Sequence, residues 1–240
     1  SLVGGSSNFM SGYFHRMKEN DFSLLSTYGE ITGANIVDWP INYEEIEPYY
    51  DRVEKIVGIS GKVIDHDFQE KRSSPDFPQP PLAENKVTSW LDQAAENLGY
   101  KMVPVPRAIL SRPKDARSSC FYSNFCGSYG CSSNAKGSSR AALLDPALET
   151  GNLEIIAHAK VFKLENNSDG KVSSVWYHSK QGQDEKVEAK IVVVAAQAIE
   201  TARLLLMSKS DEFPNGLANN NDQVGKNLLF SAGGTGSGHF

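Results

Sequence analysis

Long apolar runs are missing from this sequence of 240 residues. The longest, Ile191–Ala196 and Leu204–Met207, are far too short to span a bilayer, so no transmembrane segment is expected. Runs of lysine or arginine are missing as well. With a formal net charge of −5 there is no basic footprint for nucleic acid. Cysteine is scarce at three, and an odd number cannot pair completely within the chain, which leaves the redox compartment open. The sequence does not open on methionine. Ser1-Leu2-Val3-Gly4-Gly5 has neither the charged start nor the apolar core of a secretory leader, and it reads as a Gly-rich turn from inside a longer chain. No G-x-G-x-x-G occurs. Gly234-Thr235-Gly236-Ser237-Gly238 lacks that spacing and carries no following helix pattern, so it is not a phosphate loop. His15, His66, His158, His178 and His239 form no metal or nucleophile–base spacing and read as surface or packing residues.

What is present is an ordinary globular composition, 40% hydrophobic and 22% charged, enough for one large domain or two small ones. A helix is expected over Tyr43–Val57. Asn42 and Glu45 form a capping box, Ile46, Tyr49, Tyr50, Val53, Ile56 and Val57 recur at helical spacing, and Gly58 is the stop, while Pro48 can kink the pattern. Pro-rich residues 71–82 form an extended connector. A second amphipathic helix is expected over Glu84–Leu98, with Val87, Trp90, Leu91, Ala94 and Leu98 on one face and Gly99 as its cap. Lys101–Ile109 reads as extended, and Asp145-Pro146 starts a short helix that ends at Gly151. Beyond it Leu153–Ile156, Val161–Leu164 and Val172–His178 read as strands, with a turn at Asn166–Gly170. Lys186–Ala189 leads into Ile191–Ala196. That run has no alternation, as expected of a parallel strand buried on both faces, and a helix follows over Ile199–Ser208.

Three stretches could carry chemistry. Cys120, Cys126 and Cys131 lie within a Gly/Ser-rich loop that ends near Lys136 and Arg140. Their intervals do not suit zinc. Three thiolates could hold an iron–sulfur cluster, or the loop could be structural with one disulfide or free thiols. Gly4-Gly5-Ser6-Ser7 could cradle a pyrophosphate or flavin on backbone N–H groups, or be a surface turn. The strand-to-helix junction Val193–Thr201 could receive a cofactor on its small residues, or be close packing of a βα unit.

Taken in order, these stretches resemble the glucose–methanol–choline (GMC) flavin oxidoreductases. Val3-Gly4-Gly5-Ser6-Ser7 with Phe14 resembles the first family signature. Asp38-Trp39-Pro40, Tyr43, Pro48-Tyr49-Tyr50 and Gly58-Ile59-Ser60-Gly61 resemble the bacterial sugar and sugar-acid dehydrogenase branch. Cys126–Lys136 resembles the family's Cys-rich loop, with Asn134-Ala135-Lys136 at its end. Ala195-Ala196-Gln197-Ala198 with Thr201 and Leu204-Leu205-Leu206 resembles the second signature, and Val224-Gly225-Lys226-Asn227-Leu228 matches a further element.

The resemblance implies an α/β, or mixed α+β, fold: a partial Rossmann-like FAD-binding domain with part of an antiparallel substrate domain, truncated at both ends. Residues 1–30 would be the FAD-proximal loop and 31–118 a helical and extended segment toward the substrate domain. Residues 119–228 would hold the Cys-rich loop with FAD-domain strands and helices, and 229–240 the start of a substrate-domain strand. FAD is the implied cofactor. Gly4, Gly5, Ser6 and Ser7 would line the flavin and pyrophosphate, Val161 would meet the adenine through its backbone, and Ala195 and Ala196 would lie against the ADP moiety. The implied reaction oxidises the CH–OH group of an alcohol, sugar or sugar acid, with hydride passing to FAD and an electron-acceptor subunit as a partner. The alternatives are an electron-transfer module with an iron–sulfur cluster on Cys120, Cys126 and Cys131, or a scaffold without catalysis. The chain departs from the pattern at Phe9 and Met10, which excludes a histidyl–flavin link there. The G-x-G-x-x-G unit and the family's catalytic His pair are both expected to lie outside this stretch, so the stretch alone is expected neither to hold FAD tightly nor to turn over.

Overall fold

The computed structural model describes residues 2–67 and 69–230. It divides into two compact units, Ser1–Glu154 and Ile155–Phe240, each with its own core. The first contains α1 (Leu24–Tyr28), α2 (Tyr43–Val57), α3 (Lys86–Asn97) and α4 (Asp145–Glu149). The second contains β1 (Lys160–Asn166), β2 (Val172–His178), β3 (Asp184–Glu188) and α5 (Ala198–Met207).

The first unit is organised around one extended segment, with no regular sheet among its described residues. Ala108, Ile109 and Leu110 are almost wholly buried. Their backbone is satisfied from several sides: Ala108 N–H donates to Gly12 O, Arg107 exchanges bonds with Ser60, and Leu110 N–H donates to Ala135 O. Cys120 and Gly137 donate in turn to Leu110 O and Ala108 O. The expectation of an extended stretch ending at Ile109 is met, although its partners are single bridges. Val57, Ile59, Phe77 and Ala142 pack around Ala108, with Met10 and Phe14 at the margin.

Helix α2 forms over the expected residues. Asn42 Oδ1 accepts from Glu45 N–H and the Glu45 carboxylate accepts from Asn42 N–H, each at 2.9 Å. Gly58 takes the left-handed conformation, φ 82°, that ends the helix. Its inward face holds a buried ionic cluster that sequence periodicity did not indicate. Arg16 donates to both oxygens of Glu54 at 2.8 and 2.9 Å, to Glu47 at 2.8 Å and to the Tyr43 hydroxyl at 3.1 Å. Arg72 also pairs with Glu54. The side chains of Arg16, Glu54 and Arg72 are 2%, 1% and 3% exposed. Burial opposes the charge on Arg16, but the bonds to Glu54, Tyr43 and Glu47 outweigh it and raise its pKa.

Helix α3 is capped by Asn85, whose side chain accepts from Thr88 N–H. Its expected apolar face does not pack among the described residues: Val87, Trp90, Leu91 and Leu98 are each more than half exposed. The short helix at Asp145 forms and stops before Gly151, φ 71°.

In the second unit β1, β2 and β3 form an antiparallel sheet in that order, with register shifts between Val161 and Lys163 and between Glu165 and Asn166. The expected turn at Asn166–Gly170 is closed by Asn167, whose side chain accepts from Asp169 and Lys171 N–H at 3.0 Å. Leu164, Leu204 and Leu217 form the core. Ser208 Oγ accepts from Leu164 N–H at 2.9 Å and donates to Leu204 O at 2.7 Å, which ties the end of α5 to β1.

Two strand expectations fail. Leu153–Ile156 is irregular, and Ile191–Ala196 forms no strand. Ile191 and Val193 are 83% and 82% exposed, while Val192 and Val194 reach the core. A parallel strand exists only against neighbours that satisfy its backbone, and no strand among the described residues pairs with this run. The strand expected to start at residue 229 falls mostly on residues 231–240, outside the described residues, as do Gly234–Gly238 and His239.

Replacing Arg16 with Met should destabilise the protein by about 3–5 kcal/mol in urea titrations, because it strands buried carboxylates. Glu47 gives the cluster a pH dependence. Burial alone would raise its carboxyl, but Ser73 and Arg16 outweigh burial and hold it below the usual 4.5. A depressed carboxyl stabilises above its unfolded pKa and loses that contribution as pH falls through the lower folded value. The acid limb of stability should therefore be flatter in Glu47→Gln than in the wild type, as read by denaturant midpoints across pH.

Candidate functional site

The Gly4–Ser7 stretch is a tight turn running into a short 3-10 helix, Gly5–Phe9. Gly4 and Gly5 both have left-handed backbone, φ 89° and 55°. Glycine is needed at Gly4 for space as well: a β-carbon there would meet Asn8 Nδ2 at 2.6 Å and Arg140 Cβ at 3.0 Å. At Gly5 a β-carbon would meet nothing within 4 Å, so that side is open to a ligand. Ser7 is committed within the protein. Its hydroxyl donates to Gly4 O at 2.6 Å and accepts from Ser139 N–H at 3.0 Å. The turn's exposed surface at Gly5 and Ser6 is therefore the part left for a cofactor.

The cysteine loop lies against the core segment. Cys120, Cys126 and Cys131 pack on Ile109, Leu110 and Ala135 and line a cavity of about 350 Å³. Each is a free thiol. Two of the sulfurs accept local bonds: Cys120 Sγ from Tyr122 N–H at 3.3 Å, and Cys131 Sγ from Lys136 N–H at 3.5 Å, with Ser133 Oγ 3.4 Å away. Among the described residues no three His, Cys, Asp or Glu side chains are grouped so as to hold a metal ion. An iron–sulfur cluster, one of the two alternatives for these thiols, is therefore not shown, and the sulfurs of Cys120 and Cys131 serve the loop's own hydrogen bonding. Burial would raise the Cys131 thiol, but bonds from Ser133 and the N–H groups of Lys136 and Ala135 outweigh it and lower its pKa.

Two buried cations hold this loop through carbonyl oxygens. Lys136 is 2% exposed, and its ammonium donates to Cys126 O at 2.8 Å and Tyr129 O at 2.9 Å. Arg117 donates to Val57 O, Asn134 O and Ala135 O. Burial lowers the Arg117 pKa against the attraction of Asp115 and Cys131. The loop also reaches the glycine turn directly, through Ser128 N–H donating to Phe9 O at 3.0 Å. Sequence reasoning noted Lys136 as a basic flank and as the end of the Cys-rich loop's Asn134-Ala135-Lys136 segment, and passed over Ser139 and Arg117 altogether. Gly137-Ser138-Ser139-Arg140 looks like plain loop, and the only local hint was two hydroxyl residues following a lysine.

In the second unit, Val161 lies in β1, an edge strand, next to a register shift. Ala195 and Ala196 are exposed, as a close-approach surface requires. The start of α5 is already used: Gln197, at φ 79°, accepts from Ile199 and Glu200 N–H at 3.0 and 3.4 Å. Ala196 N–H donates to Thr201 Oγ1 at 3.1 Å. Any contact here would run over Ala195 and Ala196 and leave the helix terminus aside.

A sequence profile described as GMC oxidoreductase matches residues 78–231. The chain belongs to the GMC oxidoreductase family. It is 34% identical over 234 residues to a 2-methyl-1,2-propanediol dehydrogenase of Mycolicibacterium austroafricanum. It is 30% identical over 229 residues to the fructose dehydrogenase large subunit of Gluconobacter japonicus, and 32% identical over 231 residues to a paromamine 6'-oxidase of Streptomyces fradiae. Each match covers 95% of this chain and 40% of the relative, so the chain spans about two fifths of their length. The GMC family is FAD-binding. In the first unit the chemistry of Gly4-Gly5, left-handed glycines with open space beside Gly5, suits close approach of such a group; in the second, Ala195 and Ala196 are small and exposed.

Gly4→Ala should cost about 1–3 kcal/mol, from left-handed strain together with the Asn8 contact, and should lower the thermal midpoint more than Gly5→Ala. Lys136→Met should cost about 2 kcal/mol or more, because two carbonyls of the cysteine loop lose their donor. Denaturant titration and limited proteolysis within residues 120–134 would check it.

Proposed function

We propose that this chain is part of an FAD-dependent oxidoreductase that converts a CH–OH group of a small polyol, sugar or sugar acid to a carbonyl. The observation that carries the reading is the family match, together with the open glycine turn at Gly4-Gly5. When bound, FAD supplies the hydride acceptor. The residues described here would bind and orient it. Gly4 and Gly5 would let the flavin end approach the backbone, Ser6 would line the open side, and Ser7 would fix the turn. Val161, through its backbone, and Ala195 with Ala196 would meet the adenine and ADP portions. The proton-accepting base is assigned to no residue here. The reading of residues 1–30 and 119–228 as FAD-domain segments, and of 31–118 as leading toward substrate, belongs to the same proposal.

The relatives' names point to hydroxyl-bearing small molecules: a propanediol, fructose and paromamine. The Gluconobacter relative is named as a large subunit, which supports an electron-acceptor partner here. An iron–sulfur cluster on the cysteine loop remains the second reading, favoured by one observation: all three thiols line a single cavity. Iron and sulfide determination on anaerobically prepared protein separates the two.

The test is spectroscopic. The longer protein that contains this stretch, once purified, should carry the absorption of oxidised flavin, and that band should bleach anaerobically on adding a substrate alcohol or sugar. A colourless protein that takes up no FAD, or a flavin that no CH–OH donor reduces, would overturn the proposal.

A further inference from the structure

We propose that Ser139 is a positioning residue for the flavin-facing turn: it holds the Gly4–Gly5 peptide in the one orientation that leaves the Gly5 side open. This inference rests on the FAD reading above and adds to it a residue from a distant part of the chain. Ser7 and Ser139 are 132 positions apart, and their hydroxyl oxygens lie 2.9 Å from each other. Both hydroxyls converge on a single acceptor, Gly4 O, at 2.6 Å from Ser7 and 3.0 Å from Ser139. Ser139 also donates its N–H to Ser7 Oγ at 3.0 Å.

Counting protons shows what this achieves. The Ser7 hydroxyl has one proton, directed to Gly4 O, and its oxygen receives Ser139 N–H. The Ser139 hydroxyl can serve Gly4 O or Ser7 Oγ, and either choice tightens the same contact. The one Ser7 proton is then committed, so Ser7 has no proton to donate to a cofactor and acts chiefly through the shape of the turn. The other edge of the same peptide plane is fixed too, because Gly5 N–H donates to Leu2 O at 2.9 Å. A peptide held on both its C=O and N–H edges cannot flip. A flip would change the face that the left-handed Gly4 and Gly5 present, and holding the face fixed spares a ligand the cost of ordering the turn.

The position of Ser139 in the chain gives the latch a further consequence. It lies three residues beyond Lys136, whose ammonium grips Cys126 O and Tyr129 O. The cysteine loop and the glycine turn therefore share one short stretch of backbone, and a second link runs from Ser128 N–H to Phe9 O.

The test compares Ser139→Ala, Ser139→Thr and Ser7→Ala in the longer protein that contains this stretch, by FAD titration through flavin fluorescence and by amide hydrogen exchange over Gly5–Asn8. Ser139→Ala should weaken FAD binding about 5- to 10-fold, the effect of losing one well-placed hydrogen bond. It should also shift the spectrum of the bound flavin and speed exchange in Gly5–Asn8. Ser139→Thr, which keeps the hydroxyl, should restore both. Ser139→Ala in a Ser7→Ala background should add less than it does alone, since the two hydroxyls share one acceptor. Wild-type protein that binds FAD alongside an unchanged Ser139→Ala, or a Thr variant as weak as Ala, overturns the latch and leaves the FAD reading standing. Wild-type protein that takes up no FAD overturns the FAD reading. In that event exchange over Gly5–Asn8 still decides the latch, and unchanged exchange in Ser139→Ala sinks it.

Discussion

The first unit depends on a buried guanidinium. Arg16 lies nine residues beyond Ser7 and places its charge between Glu47 and Glu54, seven residues or about two helical turns apart on α2. Taking such a group out of water costs several kcal/mol unless its donors are matched, and here Glu54, Glu47 and Tyr43 match them with charge or hydroxyl oxygen. Arg72 brings a second positive charge to Glu54, so two arginines and two carboxylates balance within the core. The cluster joins three segments that share no regular secondary structure: the N-terminal stretch, α2, and the connector at residues 71–73. An apolar contact would let these segments slide, whereas a bidentate arginine pair fixes their register. Everything the turn at Gly4–Ser7 could do for a ligand presupposes that register.

The same logic recurs at the cysteine loop with a different counterpart. Lys136 and Arg117 are buried but meet peptide oxygens where Arg16 meets carboxylates. Carbonyl oxygens satisfy the donors without cancelling the charge, so the loop lies in a positive environment. The loop's many glycines and serines give it little intrinsic shape. Its shape comes from cations reaching across it, and the cavity beside the three thiols is a product of those bonds.

Legibility in the sequence tracked how local each determinant is. Helix α2 could be read in full because Asn42, Glu45 and Gly58 act within a few residues of the backbone they cap. The turn at Asn166–Gly170 and the strands beside it were readable for the same reason. The run Ile191–Ala196 misled because an unbroken apolar run states only that burial is wanted. The strand geometry must come from neighbours, and among the described residues it has none. The apolar face of α3 was correctly placed on one side of the helix, yet nothing in the helix itself specifies what covers it. The Arg16 cluster and the Ser7–Ser139 pair were invisible because each joins residues tens to more than a hundred positions apart.

That contrast bears on how the candidate site is built. A fold with strong local signals can tolerate substitutions that respect period and cap. This first unit has few such signals outside α2, so its glycine turn inherits its geometry from polar side chains elsewhere in the chain: Asn8, Ser139 and, through the backbone, Phe9. A turn held in this way is specified by several weak, directional bonds acting together, each worth about 1 kcal/mol. Losing one would loosen the turn without unfolding the core that Arg16 secures. Binding geometry and global stability are therefore separable in this unit. The buried ion cluster sets whether the segments assemble, and the hydroxyl contacts set how finely the glycine face is presented.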